Sequence, residues 1–148
     1  MKNKLPILII LMFFIACTRK PQEYISFFAI NNSGVEIKFF TPNSSEIYET
    51  YPLDGAIRRI TNRNYSTTTI NEENFDKTLN LPSPIKVVFN NSDTVYHYND
   101  SLLHYGKYLN KSSNRCLFNF RSYVINKEKH GDVLTFTFTP NDYEFAKQ

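Results

Sequence analysis

Val133-Leu134-Thr135-Phe136-Thr137-Phe138-Thr139 is the stretch from which the fold class is read. Large apolar residues alternate with threonines, so Leu134, Phe136 and Phe138 share one face and Thr135, Thr137 and Thr139 the other. Period two on β-favouring residues describes an antiparallel strand that is buried on one face and wet on the other. Directly after it the pattern changes. In Thr139-Pro140-Asn141-Asp142-Tyr143-Glu144-Phe145-Ala146, Thr139 can cap a helix, Pro140 suits the first helical position, and Asp142 stands where a capping-box acid belongs. The segment predicts a short C-terminal helical turn that folds Tyr143 or Phe145 back onto the sheet. Upstream, Asn119 to Asn126 reads as the other arm of a hairpin, joined by the loop Lys127 to Asp132 with Gly131 in it.

The same period recurs toward the start. Lys86 to Asn90 and Thr94 to Tyr98 flank a turn at Asn91-Ser92. Tyr24 to Ile30 and Val35 to Thr41 flank Asn31-Asn32-Ser33-Gly34, which again reads as a hairpin. Helix signals are sparse: Asn71 to Leu79 can hold a short turn, with Glu72 and Glu73 near its start and Lys77 near its end, as the helix dipole prefers. About six to eight strands linked mainly by hairpins predict an all-β chain, a small antiparallel β-sandwich or open barrel.

Composition bounds what such a chain does. It has 148 residues, 41% hydrophobic and 16% aromatic, which suffices for one domain with a packed core and excludes intrinsic disorder as its overall state. Seventeen basic residues against 14 acidic are too balanced for a dedicated nucleic-acid binder, so no nucleic acid is expected as a partner. Two cysteines are too few for a disulfide scaffold or a zinc ribbon.

The amino terminus reads as an address. Met1-Lys2-Asn3-Lys4 is positive, and the apolar run Leu5 to Ala16 is well short of the ~20 residues that a spanning helix needs. This pattern fits a secretory signal over residues 1–16. Phe14-Ile15-Ala16-Cys17 looks like a lipobox, with cleavage between Ala16 and Cys17 and lipid attachment at Cys17. Phe14 departs from the leucine usual three places before the cysteine. Acyl chains at ~0.8 kcal/mol per buried CH₂ would hold the chain on a bilayer, provided there are two or more of them. Residues 17–22 then form a lipidated tether and residues 23–148 the β-domain. Losing Lys2 and Lys4 lowers the basic count from 17 to 15 against 14 acidic, a nearly neutral domain. Cys116 is left without an intramolecular partner and reads as a small buried apolar residue.

These features together resemble the small lipoproteins common in Bacteroidetes. The resemblance rests on the lipobox, an opening β-hairpin near Phe28-Ala29-Ile30-Asn31-Asn32, the stretch Ile85 to Tyr98, and the closing strand running into Thr139-Pro140-Asn141-Asp142-Tyr143. It implies a lipid-anchored, β-rich protein of the cell envelope and carries no activity with it. In that phylum surface export is signalled by acidic residues after the lipidated cysteine. Thr18-Arg19-Lys20 is basic instead, which by analogy favours the outer membrane, facing the periplasm. Asp93-Thr94-Val95 and Asp100-Ser101-Leu102 each resemble the short O-glycosylation acceptor used there.

The search for chemistry yields little. No Gly-rich phosphate loop, G-x-S-x-G elbow or H-E-x-x-H helix occurs, and neither a metal nor a cofactor is expected. His97 and His104 frame Asp100, but their seven-residue separation matches no ligand motif, and the strand-to-turn path should point the rings apart. His97 reads as solvated on the outward face, and His130 as exposed in a hairpin loop. Arg58, Arg59 and Arg63 read as a solvated basic spot. Tyr96, Tyr98, Tyr105 and Tyr108 cluster within thirteen residues, and tyrosines grouped this way suit sugar or protein surfaces. Tyr96 and Tyr98 should share a face, which reads either as core or half-buried edge or as a binding surface. The sequence therefore predicts a lipid-anchored, non-enzymatic binding module for an envelope protein or glycan. The alternative is an envelope hydrolase, or an inhibitor of an envelope enzyme, built on the His97–His104 region.

Overall fold

The computed structural model describes residues 23–42, 47–51, 57–65, 69–129 and 131–148. The segments expected to be a signal sequence and tether, with Cys17, and also His130 lie outside the described residues. Among the described residues nine strands form two sheets. They are β1 (Glu23–Asn31), β2 (Ile37–Phe40), β3 (Ile47–Tyr51), β4 (Ile57–Tyr65), β5 (Ile85–Phe89), β6 (Asp93–His97), β7 (Tyr108–Leu109), β8 (Val124–Glu128) and β9 (Gly131–Phe138). One sheet runs β4-β1-β9-β8, the other β3-β2-β5-β6-β7. Helix α1 (Phe75–Leu79) precedes β5, and α2 (Pro140–Lys147) closes the chain. Among the described residues the result is a small β-sandwich, with no closed barrel.

The two inner faces follow the alternation in the sequence. Ile25, Phe27 and Ala29 of β1 and Leu134, Phe136 and Phe138 of β9 face Ile37 and Phe39 of β2, Ile85, Val87 and Phe89 of β5, and Val95 of β6. Phe138 meets Phe39 at 5.6 Å and Phe89 at 5.9 Å between ring centroids, both edge to face. That geometry brings a ring edge onto a π face and adds to the area buried. Phe75 of α1 packs the same way on Phe27 and Tyr123, at 5.9 and 5.2 Å.

Two sequence expectations need correction. Tyr24–Ile30 and Val35–Thr41 are not a hairpin, because β1 and β2 belong to different sheets. The turn between them is a corner: Asn31 Nδ2 donates to the Val35 carbonyl at 2.7 Å, and the Ser33 backbone N–H donates to Asn31 Oδ1 at 3.0 Å. These bonds serve the turn from side chains and release both strands to pair elsewhere. The sheets are also mixed. β1 runs antiparallel to β4 but parallel to β9, and β6 runs parallel to β7.

The other two hairpins form. β5 and β6 pair from Ile85↔His97 to Phe89↔Asp93, turning on Asn90 and Asn91 at φ 49° and 62°. Asn tolerates that left-handed region better than most residues. β8 and β9 pair antiparallel, but β8 begins only at Val124. Asn119 to Tyr123, read as the start of that strand, instead end a run of turns in which the N–H groups of Ser113, Cys116, Asn119 and Ser122 each donate to the carbonyl three back. Gly131 starts β9 at φ 150°, where an added Cβ would lie 1.7 Å from the Tyr24 carbonyl oxygen. Helix α2 starts as expected: Thr139 N–H donates to Asp142 Oδ2 at 2.6 Å in a capping box, and Tyr143 stacks on Phe89 at 6.0 Å. Among the described residues no helix is long and apolar enough to cross a membrane.

Candidate functional site

Strand β6 sorts the suspected residues onto two faces. Val95 and His97 point into the core, while Tyr96 and Tyr98 lie on the outer side, half exposed. The expectation that His97 is solvated is overturned, since only 2% of it is exposed. Its Nδ1 accepts the Leu117 backbone N–H at 3.0 Å, which makes the ring the neutral tautomer protonated on Nε2. Phe136 and Phe138 present to it at 6.4 Å, edge to face. Desolvation lowers its pKa to about 3; Asp142 partly opposes the shift and Arg115 adds to it. This histidine is neutral and structural at every physiological pH.

His104 lies elsewhere, as the diverging path implies. Its ring stacks on Tyr98 at 3.5 Å and 8°, and Tyr108 stands edge-on to it at 5.7 Å. Tyr96 tilts against Tyr98 at 6.4 Å. Four rings, Tyr96, Tyr98, His104 and Tyr108, thus form one partly exposed surface, while Tyr105 projects fully into solvent. His104 Nε2 and Asp100 Oδ1 are 2.8 Å apart. That bond, then the Leu102 N–H, hold the Asp100 carboxyl below its usual pKa.

The same aspartate organises the loop that follows β6. Its Oδ1 accepts the Leu102 N–H at 3.0 Å, and its carbonyl accepts the Lys111 N–H at 2.8 Å. Asn110 Nδ2 donates to the Leu102 carbonyl at 3.1 Å. Gly106 turns the chain back at φ 84°. Pinned in this way, the loop exposes Leu102 at 67%, Leu103 at 86% and Tyr105 at 103%. Leucines are seldom displayed so openly side by side. The sequence reading passed over Leu102 and Leu103, although an apolar pair set between Asp100-Ser101 and His104-Tyr105-Gly106 was a usable signal.

Other candidates are structural. Burial pushes the Cys116 thiol up to about 12, and its Sγ faces the carbonyls of Leu109 and Tyr98 at 3.4 and 3.6 Å, so it is a buried free thiol as expected. Arg115, which the sequence did not mark, holds Asp142 with two nitrogens and donates to the Thr137 carbonyl at 2.6 Å. The open cleft of about 400 Å³ beside them therefore presents a guanidinium already engaged. A second hollow, of about 320 Å³, contains Lys111 and Arg121, which pair with Asp76 and Glu72. Arg58, Arg59 and Arg63 fall on β4 opposite Ala29, Phe28 and Ile25 of β1. Thr94 lies within β6, whereas Ser101 is exposed in the loop, its Oγ 3.2 Å from that of Ser112. Among the described residues, no three His, Cys, Asp or Glu side chains come together as metal ligands would. No known protein family, curated protein or solved structure matches this chain.

Proposed function

We propose that the chain is a lipid-anchored protein of the cell envelope that acts as a non-enzymatic binding module, held at the outer membrane through Cys17 and facing the periplasm. The observation that carries the binding part is the contiguous aromatic surface of Tyr96, Tyr98, His104 and Tyr108 on the outer face of β6 and β7. Stacked rings with one face toward water suit the C–H face of a sugar or the apolar patch of a partner protein. In the alternative, an envelope hydrolase or inhibitor using the His97–His104 region, the two rings would not act together, since one lies in the core and the other stacks on Tyr98 at the surface.

The experiment is photo-crosslinking in the native envelope from a reactive side chain placed at Tyr96. The expected result is a defined protein or glycan adduct that disappears when Tyr98→Ala is added, with the circular dichroism spectrum unchanged. No adduct, or one indifferent to Tyr98→Ala, overturns the reading.

A further inference from the structure

We propose that Leu102, Leu103 and Tyr105 form a knob that enters the interfacial layer of the bilayer carrying the anchor, and so fixes the orientation of the domain. The inference rests on the reading of Cys17 as the lipidated residue.

Four observations lead there. First, the exposures of 67%, 86% and 103% describe side chains that stand clear of the domain. Contiguous apolar display of this kind marks a surface made to be covered. Second, the loop is already ordered by Asp100 and Asn110, so little conformational freedom remains to be lost on contact. Third, the Leu102 N–H and C=O are both bonded within the protein, so moving them out of water does not strand them. Fourth, only the six residues from Cys17 to Gln22 separate the lipid from the first strand, a reach of about 20 Å when extended. A domain of this size is about 35 Å across, so it stays against the membrane surface.

The residue types suit that occupant. Two leucines can reach the upper acyl region, while the hydroxyl of Tyr105 belongs at the headgroup level, where tyrosine is enriched. Charge does not oppose it. Asp100 is engaged by His104, Lys107 donates to the Ala146 carbonyl, and Lys111 pairs with Asp76, so no unpaired charge among these three faces the bilayer. The acyl chains supply the affinity and the knob supplies the angle, holding the aromatic face in one attitude above the bilayer.

The test uses the full chain purified from membranes and reconstituted into phosphatidylethanolamine–phosphatidylglycerol vesicles. An environment-sensitive fluorophore is placed at Leu103→Cys or, as control, at Ser92→Cys, in the turn at the opposite end of β6. Buried Cys116 does not compete for the label. Quenching by lipid-borne quenchers should be several-fold greater at 103 than at 92, and should fall to the control level when Leu102→Ser and Tyr105→Ser are added at unchanged Tm. Equal quenching at the two positions overturns the proposal. So does a protein adduct crosslinked from position 103 without lipid quenching, which makes the loop a protein dock instead. The mass of the purified chain reports the anchor separately. If no acyl group is present, the anchor reading fails, and the same comparison with vesicles in excess decides the knob alone.

Discussion

At the scale of single residues, His97 carries the clearest consequence. Folded, it takes up a proton only near pH 3; unfolded, it does so near 6.5. Between those values the unfolded chain binds more protons, so the stability this group contributes is present above about pH 6.5 and is lost as pH falls toward 3. The slope from this one group reaches about 1.4 kcal/mol per pH unit. Urea unfolding midpoints should therefore fall steadily from about pH 6.5 down to pH 4. His97→Asn keeps an acceptor near the Leu117 N–H, leaves a small cavity and cannot titrate. It should be less stable at pH 7 by about 1–3 kcal/mol and should flatten the dependence. An unchanged slope in that variant assigns the acid sensitivity to other groups. The strand pattern Thr94-Val95-Tyr96-His97-Tyr98 showed that residues alternate between two faces but not which face is buried. Choosing the tyrosines as the apolar side was the alternative that failed. What places His97 inward is a bond to a backbone N–H 20 residues away, and no local pattern contains it.

At the scale of elements, local chemistry was read well wherever it was sufficient by itself. Helix α2 needs only Thr139, Pro140 and Asp142 to begin, and it begins there. The β5–β6 hairpin needs a tight turn between two apolar runs, and it forms at Asn90-Asn91-Ser92, which contains the Asn91-Ser92 read for it and starts one residue earlier. The β1–β2 turn has equally good turn residues, yet turn chemistry does not decide whether the arms pair with each other or with distant strands. Asp142 joins the two levels, because it caps α2 and also accepts from Arg115, 27 residues upstream. Asp142→Ala removes the cap and leaves the guanidinium facing a carboxylate-free cleft. With Arg115 partly in solvent, the loss should be about 2 kcal/mol, read as a lower Tm. Asp142→Asn, which keeps an acceptor oxygen, should recover part of it. Equal Tm for both variants and the parent chain would show that α2 docks without its cap.

At the scale of the whole molecule, β1 decides the architecture. It lies inside the first sheet, antiparallel to β4 and parallel to β9, so strands from the two ends of the domain close one layer. The β-sandwich class was legible because the inward positions of β1, β2, β5 and β9 alternate. Strand order and the parallel pairings were not: β1 meets β9 across about 100 residues, and the β6–β7 pairing follows a loop with no turn signal that sets its direction. The proposed anchor at Cys17 precedes the described core, whose residues run from Ile25 to Ala146. Cys17→Ser should therefore abolish incorporation of labelled palmitate and move the chain from the membrane fraction to the soluble one. Tm should stay within about 1 °C of the unmodified domain, because Cys17 precedes the described core, which begins at Ile25. Continued membrane partition without label would mean that the β-domain, through the Leu102–Leu103 loop, binds the bilayer unaided. A large fall in Tm would mean that the amino-terminal segment contributes to the fold as well as to its location.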